Sequence, residues 1–385
     1  MAAKRLYQNY HSKDATSVEF CAGTTKTENF FSSFLPKLYK KIVKFFELIL
    51  LREPIKKNVP FNLGLMNYST LLYRKNFKTA DVFNLHWLGE GFISLEALAK
   101  FNKPIVITMH DSWFFTGGCH LPGTCIQYST GCEDCPLFET KHAKRVVRKT
   151  FQKKKEFYKN NRVHFISPSR WLAQQFANSS IYDEPFHSRI LNCVGEAWHT
   201  VALKDQKLSC AAFISLNPFY DINKNFKLTL KICDALNEFV ELKLLVVGGA
   251  QIPTWAKRNY LSLIPTQSNE KSMIEILSKC KYIFCTSKVE NLPNVIIEGA
   301  FVGTKAVCTQ VGGIPELSEL FEEMILIDEG DIGSVIKKLR YEIENTMHDK
   351  KISLKLQHKA RKAFNTEQIL KDYSAVFHKL INYDN

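Results

Sequence analysis

The sequence specifies an α/β protein of two doubly wound parallel-sheet domains, and three observations carry that expectation. Short apolar runs alternate with helix-patterned stretches through both halves, as strands joined by helical crossovers do. A polar stretch near Glu196–Lys207 separates the halves as a linker. Ser287–Gly299, SKVENLPNVIIEG, sets a strand end, a tight turn and a helix start between two acids, which suits a ligand at the carboxyl edge of a sheet. With 385 residues the chain can bury two ordinary cores. The expected domains are 1–195 and 205–360, with a closing helix over 366–385.

In the first half, Met1–Tyr10 reads as a helix. Phe30–Arg52, FFSSFLPKLYKKIVKFFELILLR, follows near-helical spacing: Leu35, Leu38, Ile42, Phe45, Phe46 and Ile49 share one face, with Lys37, Lys40, Lys41 and Lys44 largely outside it. That helix suits an anionic membrane surface, or is a domain helix whose apolar face is core. Val82–Trp87 is a short strand, Ser94–Lys100 a helix, and Pro104–Met109 a buried strand ending at His110-Asp111. Lys141–Lys159 is a basic run without an aliphatic stripe, expected as a solvated helix. Val163–Ser169 is a strand, and a helix starts at Arg170.

The second half repeats the pattern. Cys210–Leu216, Leu242–Val247, Tyr282–Thr286 and Ala306–Thr309 are strands; Phe226–Glu238, Ser272–Cys280 and Asn294–Val302 are helices. Ile332–Glu344 and Thr366–Ile381 are the last helices.

A hydrophobic fraction of 45% and a charged fraction of 23% are those of a globular protein. No run reaches the roughly 18–20 apolar residues that span a bilayer, and the N-terminus lacks the apolar core of a secretory signal. The expected location is cytoplasmic. A net charge of +14 asks for an acidic partner: nucleic acid, an anionic membrane or a phosphate-bearing substrate. No nucleic-acid motif and no regular aromatic interleaving accompanies the charge, so nucleic acid is not expected.

Four of the eleven cysteines crowd into the loop 117–136 as Cys119, Cys125, Cys132 and Cys135. In a reducing compartment this C-x5-C-x6-C-x2-C cluster favours a metal, and four thiolates would close a structural zinc site. Only the C-x2-C pair has standard zinc spacing, and His120 could replace one thiol; reduced thiols and disulfides stay open.

Glu298 lies within Val295, Ile296, Ile297, Ala300 and Phe301, where an unpaired carboxylate would cost several kcal/mol. Eight positions earlier, Glu290 closes the strand-like run. Asn291, Leu292, Pro293 and Asn294 form the turn between them, with Pro293 suited to the first helical position. Carboxylates accept from hydroxyls, and the free N–H groups of a helix start face phosphates, so this segment fits a sugar nucleotide.

The E-x7-E spacing followed by Gly312-Gly313-Ile314-Pro315-Glu316 resembles the donor segment of retaining GT-B glycosyltransferases of glycosyltransferase family 4. In the first half, HWLGEGFISLEALAKFNKPIVITMHDSWFFTGGCH with the closing GCEDCP is similar to a subgroup that makes bacterial surface polysaccharides (capsule, exopolysaccharide or O-antigen). The resemblance implies two Rossmann-like domains facing a cleft, with the final helix crossing back onto the first domain. It implies a UDP- or GDP-sugar donor, retention of configuration without a protein nucleophile, no metal in catalysis, and a lipid-linked glycan acceptor at the inner membrane face. It assigns Glu290 to the donor sugar, Glu298 to the ribose, Lys224 to the diphosphate and His110 to the reaction centre. Asp111 could orient His110, accept from an acceptor hydroxyl, or cap the next turn; His86 is a lesser candidate.

The chain departs from the family at three places. The usual first strand and glycine-rich loop are expected to be absent, because Met1–Tyr10 already reads as the helix that follows them. Either the protein begins upstream, or this is a truncated, non-catalytic ligand-binding or scaffold relative. Asn217-Pro218-Phe219-Tyr220 stands where an Arg is usual, and Asn225 replaces the Gly after Lys224. Leu191–Glu196 differs from the usual interdomain hinge apart from Asn192.

Overall fold

The computed structural model describes residues 2–11, 30–55, 59–89, 91–182, 186–267, 269–345 and 350–382; the side chains of 30–37, 71 and 72 are outside that description. The chain divides into two compact units, one of 3–191 with 367–385 and one of 192–366.

The first unit opens with α1 (Ala2–His11), α2 (Phe30–Leu51) and α3 (Ser69–Thr79). It continues through β1 (Phe83–Leu85), α4 (Leu95–Ala99), β2 (Ile105–Thr108), α5 (Lys141–Asn160), β3 (Val163–Ser167), α6 (Arg170–Ala177) and β4 (His187–Arg189). The strands form one parallel sheet in the order β1-β2-β3-β4, and among the described residues no strand precedes β1. Ser94 and Ser169 fix the starts of α4 and α6 by accepting from the N–H groups of Ala97 and Leu172.

In α5, Ala143, Val147, Phe151, Lys154 and Phe157 recur at helical spacing and are buried, so the basic helix does carry a core face. A lysine in the middle of that stripe hid it from a search for aliphatic periodicity. In α2 the core takes Val43, Glu47 and Leu51, whereas Leu38, Phe45, Phe46, Leu48, Ile49 and Leu50 stay exposed beside Lys40, Lys41 and Lys44. Its anticipated apolar stripe is therefore not core; Leu35 and Lys37 fall outside the described side chains. Among the described residues, no helix is long and apolar enough to cross a membrane.

The second unit runs α7 (Glu196–His199), β5 (Leu208–Ile214), α8 (Phe226–Asn237), β6 (Lys243–Val247), β7 (Leu261–Ile264), α9 (Glu270–Lys279) and β8 (Cys280–Cys285). It closes with α10 (Asn294–Phe301), β9 (Lys305–Thr309), α11 (Ile314–Leu320), β10 (Ile325–Ile327), α12 (Ile332–Asn345) and α13 (Lys350–Ala363). The sheet is parallel, in the order β10-β9-β8-β5-β6-β7, with a register irregularity between β5 and β8. Buried apolar side chains run along β5 (Cys210–Phe213), β6 (Leu244, Val246, Val247) and β8 (Tyr282–Cys285), as strands covered on both faces require. The stretch read as a linker instead carries α7, whose Trp198 is fully buried. The last helix, α14 (Thr366–Ile381), joins the first unit: Tyr10 donates its hydroxyl to the Leu370 carbonyl at 2.8 Å, and Tyr373 donates to Thr108 at 3.3 Å.

Candidate functional site

In the second unit, the carboxyl ends of β5, β8 and β9 bring two loops and a helix start together. Asn223 is the stitch: its side chain donates to the Val289 carbonyl and accepts from the Val289 N–H, and its carbonyl accepts from Lys288. Thr286 adds bonds to the carbonyls of Lys224 and Asn225. Asn225 adopts the left-handed conformation, φ 50 and ψ 47, immediately before α8. Asparagine tolerates that region better than other non-glycine residues, so replacement of the usual glycine leaves the loop geometry possible.

Lys224 then reaches Glu290: its Nζ and the Glu290 Oε1 form an ion pair, and Ser287 donates its hydroxyl to the same oxygen at 2.8 Å. Burial works to lower the Lys224 pKa, but the Glu290 carboxylate more than offsets it and the pKa is raised. The Glu290 backbone is fixed as well. Gly313 donates to its carbonyl at 3.1 Å, and Gly312 sits at φ +60, where a Cβ would meet that carbonyl oxygen at 1.6 Å. Gly312 is thus required by close approach to the acid's backbone.

Pro293 is the N-cap of α10 rather than its first residue, a one-position difference that keeps its fixed φ of −70 at the helix entry. Asn291 and Asn294 are half-buried, while Leu292 and Pro293 pack inside. Glu298 lies one turn beyond Asn294, on the same helix face, and is only 5% exposed. Where an Arg was sought, Asn217 closes a turn by accepting from Tyr220 and Asp221, and Phe219 packs on Phe226.

His110 belongs to the first unit, just past β2, and there it meets His86 from the end of β1. The His86 Nδ1 and His110 Nε2 lie 2.8 Å apart with the rings stacked. Burial lowers both pKa values, that of His110 to about 4, so at neutral pH one ring donates a single proton to the other's lone pair. Asp111 accepts from the Trp113 N–H at 2.8 Å, the capping role among those anticipated, and pairs with His120 Nδ1 at 2.8 Å. Asn62 accepts from Gly64 through its oxygen, so its amide nitrogen donates to His120 Nε2. That arrangement puts the His120 proton on Nδ1, directed at Asp111.

The expected metal centre at Cys119, Cys125, Cys132 and Cys135 is not assembled. Among the described residues no group of three or more His, Cys, Asp or Glu side chains is placed to hold a metal ion, and all four thiols are free. The physical reason lies in their other commitments. Burial pushes Cys119 up to about 11 and Cys132 up to about 12, favouring the neutral thiol, and Cys132 accepts from the Gly117 N–H at 3.2 Å. His120, the suggested substitute ligand, is held by Asp111 and Asn62.

Sequence reasoning also missed Lys154, which is 2% exposed. Its Nζ donates to the carbonyls of Trp113 and Thr116 and sits 3.5 Å from the Trp113 ring centre. Burial lowers its pKa to about 7. Its place at i+11 from Ala143 in the buried stripe was the available signal. Ser287 and Asn223 were equally unremarked, although Asn223 adjoins Lys224 and Ser287 lies three positions before Glu290.

Two units with parallel sheets, the second presenting a paired acid and lysine at its strand ends, define a GT-B glycosyltransferase fold. Residues 219–363 match the family of Glycosyl transferases group 1. WcaC of Escherichia coli (strain K12), named for colanic acid biosynthesis and glycosyl transfer, is 22% identical over 83% of this chain and 82% of its own. The crystal structure of Anabaena Alr3699/HepE in complex with UDP-glucose superposes with a TM-score of 0.56 at 15% identity, over 80% of this chain and 82% of that one. A glycosyltransferase from Rickettsia africae ESF-5 superposes with a TM-score of 0.56 at 12% identity, over 97% and 87% of the two chains.

Proposed function

We propose that this protein is a retaining hexosyltransferase of the family 4 type, moving a sugar from a UDP- or GDP-sugar to a lipid-linked glycan in polysaccharide biosynthesis. The observation that carries the reading is the Lys224–Glu290 pair held over the start of α10, with Glu298 buried one turn further on. Glu290 takes hydroxyls of the donor sugar and Glu298 those of the ribose. Asn291, Leu292, Pro293 and Asn294 shape the entry whose free N–H groups face the diphosphate. Lys224 turns from Glu290 to the diphosphate as charge builds on the leaving group, so that no metal takes part in catalysis. His110, neutral and oriented by His86, positions the reacting groups. WcaC and the UDP-glucose complex support a polysaccharide role and a UDP-sugar, respectively.

The exposed face of α2, with three lysines beside five large apolar side chains from Phe45 to Leu50, supports peripheral attachment to the anionic inner face of a membrane. The test is release of nucleoside diphosphate from a panel of UDP- and GDP-sugars in the presence of bacterial lipid extract, run alongside flotation with anionic and zwitterionic vesicles. Turnover that requires lipid extract, and flotation only with anionic vesicles, supports the reading. Absence of transfer from every donor refutes the enzyme, and equal flotation with both vesicle types refutes the electrostatic attachment.

A further inference from the structure

We infer that Trp87 is a stacking platform for a pyranose ring of the acceptor glycan, with Asp111 as the carboxylate that receives one of its hydroxyls. The inference rests on the transferase reading, which supplies the sugar. Trp87 directly follows His86 at the carboxyl end of β1 and is 46% exposed, more than any other tryptophan of the chain. Single exposed apolar residues are ordinary on protein surfaces, so its placement and support must distinguish it.

The support is specific. A Cβ at Gly89 would lie 2.3 Å from Cζ2 of the Trp87 ring, so a side chain there would push the indole out of this position. The His120 ring lies 6.2 Å from the indole, and the Trp113 ring stacks on His120 at 6.4 Å. His120 is itself fixed at both nitrogens by Asp111 and Asn62. The indole therefore backs onto a fixed aromatic layer while much of it meets solvent, which lowers the ordering cost of a ligand that stacks there.

Asp111 supplies the polar complement. It accepts from Trp113 and His120 and is still 21% exposed, and each carboxylate oxygen keeps a lone pair for a hydroxyl. A planar nucleobase would also stack on an indole, but its phosphates would be repelled by the carboxylate. A pyranose, with an apolar C–H face and a rim of hydroxyl donors, satisfies both groups.

The test is saturation-transfer NMR on the full chain with methyl and octyl glycosides of glucose and galactose. It compares the wild type with Trp87→Ala and Trp87→Phe, each checked for a cooperative melt. The expected result is transfer into ring protons of at least one methyl glycoside, with affinity about tenfold weaker in Trp87→Ala and largely kept in Trp87→Phe. Equal transfer in a folded Trp87→Ala, transfer only into the octyl chain, or no transfer to the wild type would overturn the platform. A UDP melting shift measured alongside separates the two ideas. A UDP shift without sugar contact sinks the platform alone; ring contact without a nucleotide shift sinks the transferase reading alone.

Discussion

The Glu290 edge of the second unit and the cysteine loop of the first were both conspicuous as motifs, yet they fold to different ends. At the first, Glu290 holds a lysine and a serine hydroxyl, and two loops are stitched to present it. In the cysteine loop Cys132 and Cys135 are absorbed as packing while Cys119 and Cys125 stay half-buried, and the amine at the centre belongs to a lysine that no motif contained. The difference follows from chemistry. A carboxylate carries its charge into burial and must find partners, so its position predicts a polar constellation. A thiol can shed its proton requirement by staying neutral and packing as a small hydrophobe, so its spacing predicts less.

That contrast can be tested by removing partners on each side. Lys224→Ala leaves the Glu290 carboxylate without its cation, and should cost about 2–4 kcal/mol of unfolding free energy in urea titrations. The double variant Lys224→Met with Glu290→Gln should recover part of it. Full stability in the single variant would mean the pair is loosely held in solution. Lys154→Met removes the donor from two buried carbonyls and should cost about 1–3 kcal/mol.

Glu47 of α2 offers a change of opposite sign. It is 1% exposed, accepts from the Leu63 N–H at 2.6 Å, and burial raises its pKa from 4.5 to about 7. The folded chain thus holds a proton that the unfolded chain releases between those values. Its stabilising contribution is fully present below 4.5 and is lost as pH rises through about 7. Glu47→Gln keeps an acceptor oxygen without the charge, and should raise stability by about 1–3 kcal/mol near pH 8 and hardly at all near pH 4. Equal effects at both pH values would place an ionised Glu47 in a better-solvated setting. The smallest expected effect is that of chelation, which should leave the melting temperature unchanged if the four thiols serve as packing. A drop on chelation, restored by zinc, would return the loop to the metal centre its spacing suggested.

How much was legible in the sequence follows the same division. Strands with continuous apolar runs, such as Ile105–Thr108 and Lys243–Val247, and the helix start after Pro293 announced themselves within a residue or two. Two short edge strands did not: His187–Arg189 is polar, and Leu261–Ile264 is a four-residue run that its flanking loop does not frame. α13 was hidden by its own lysines. At the site, Glu290 and Glu298 stood out as carboxylates in apolar or strand-end settings and Lys224 through the family resemblance; the structure pairs Lys224 with Glu290 and buries Glu298. The left-handed Asn225, the tautomer-fixing chain from Asn62 to Asp111 and the buried Lys154 depend on contacts between residues far apart in sequence, which no local pattern encodes.

The most direct measurement is thermal unfolding of the wild type and Glu298→Ala with UDP, GDP, ADP and their common sugar conjugates. One base should raise the wild-type melting temperature, since a ligand at about a hundred times its dissociation constant adds roughly 2.7 kcal/mol, and Glu298→Ala should abolish the rise without unfolding. No rise with any nucleotide in a cooperatively melting chain, or an equal rise in Glu298→Ala, would contradict a nucleotide-sugar site at this helix.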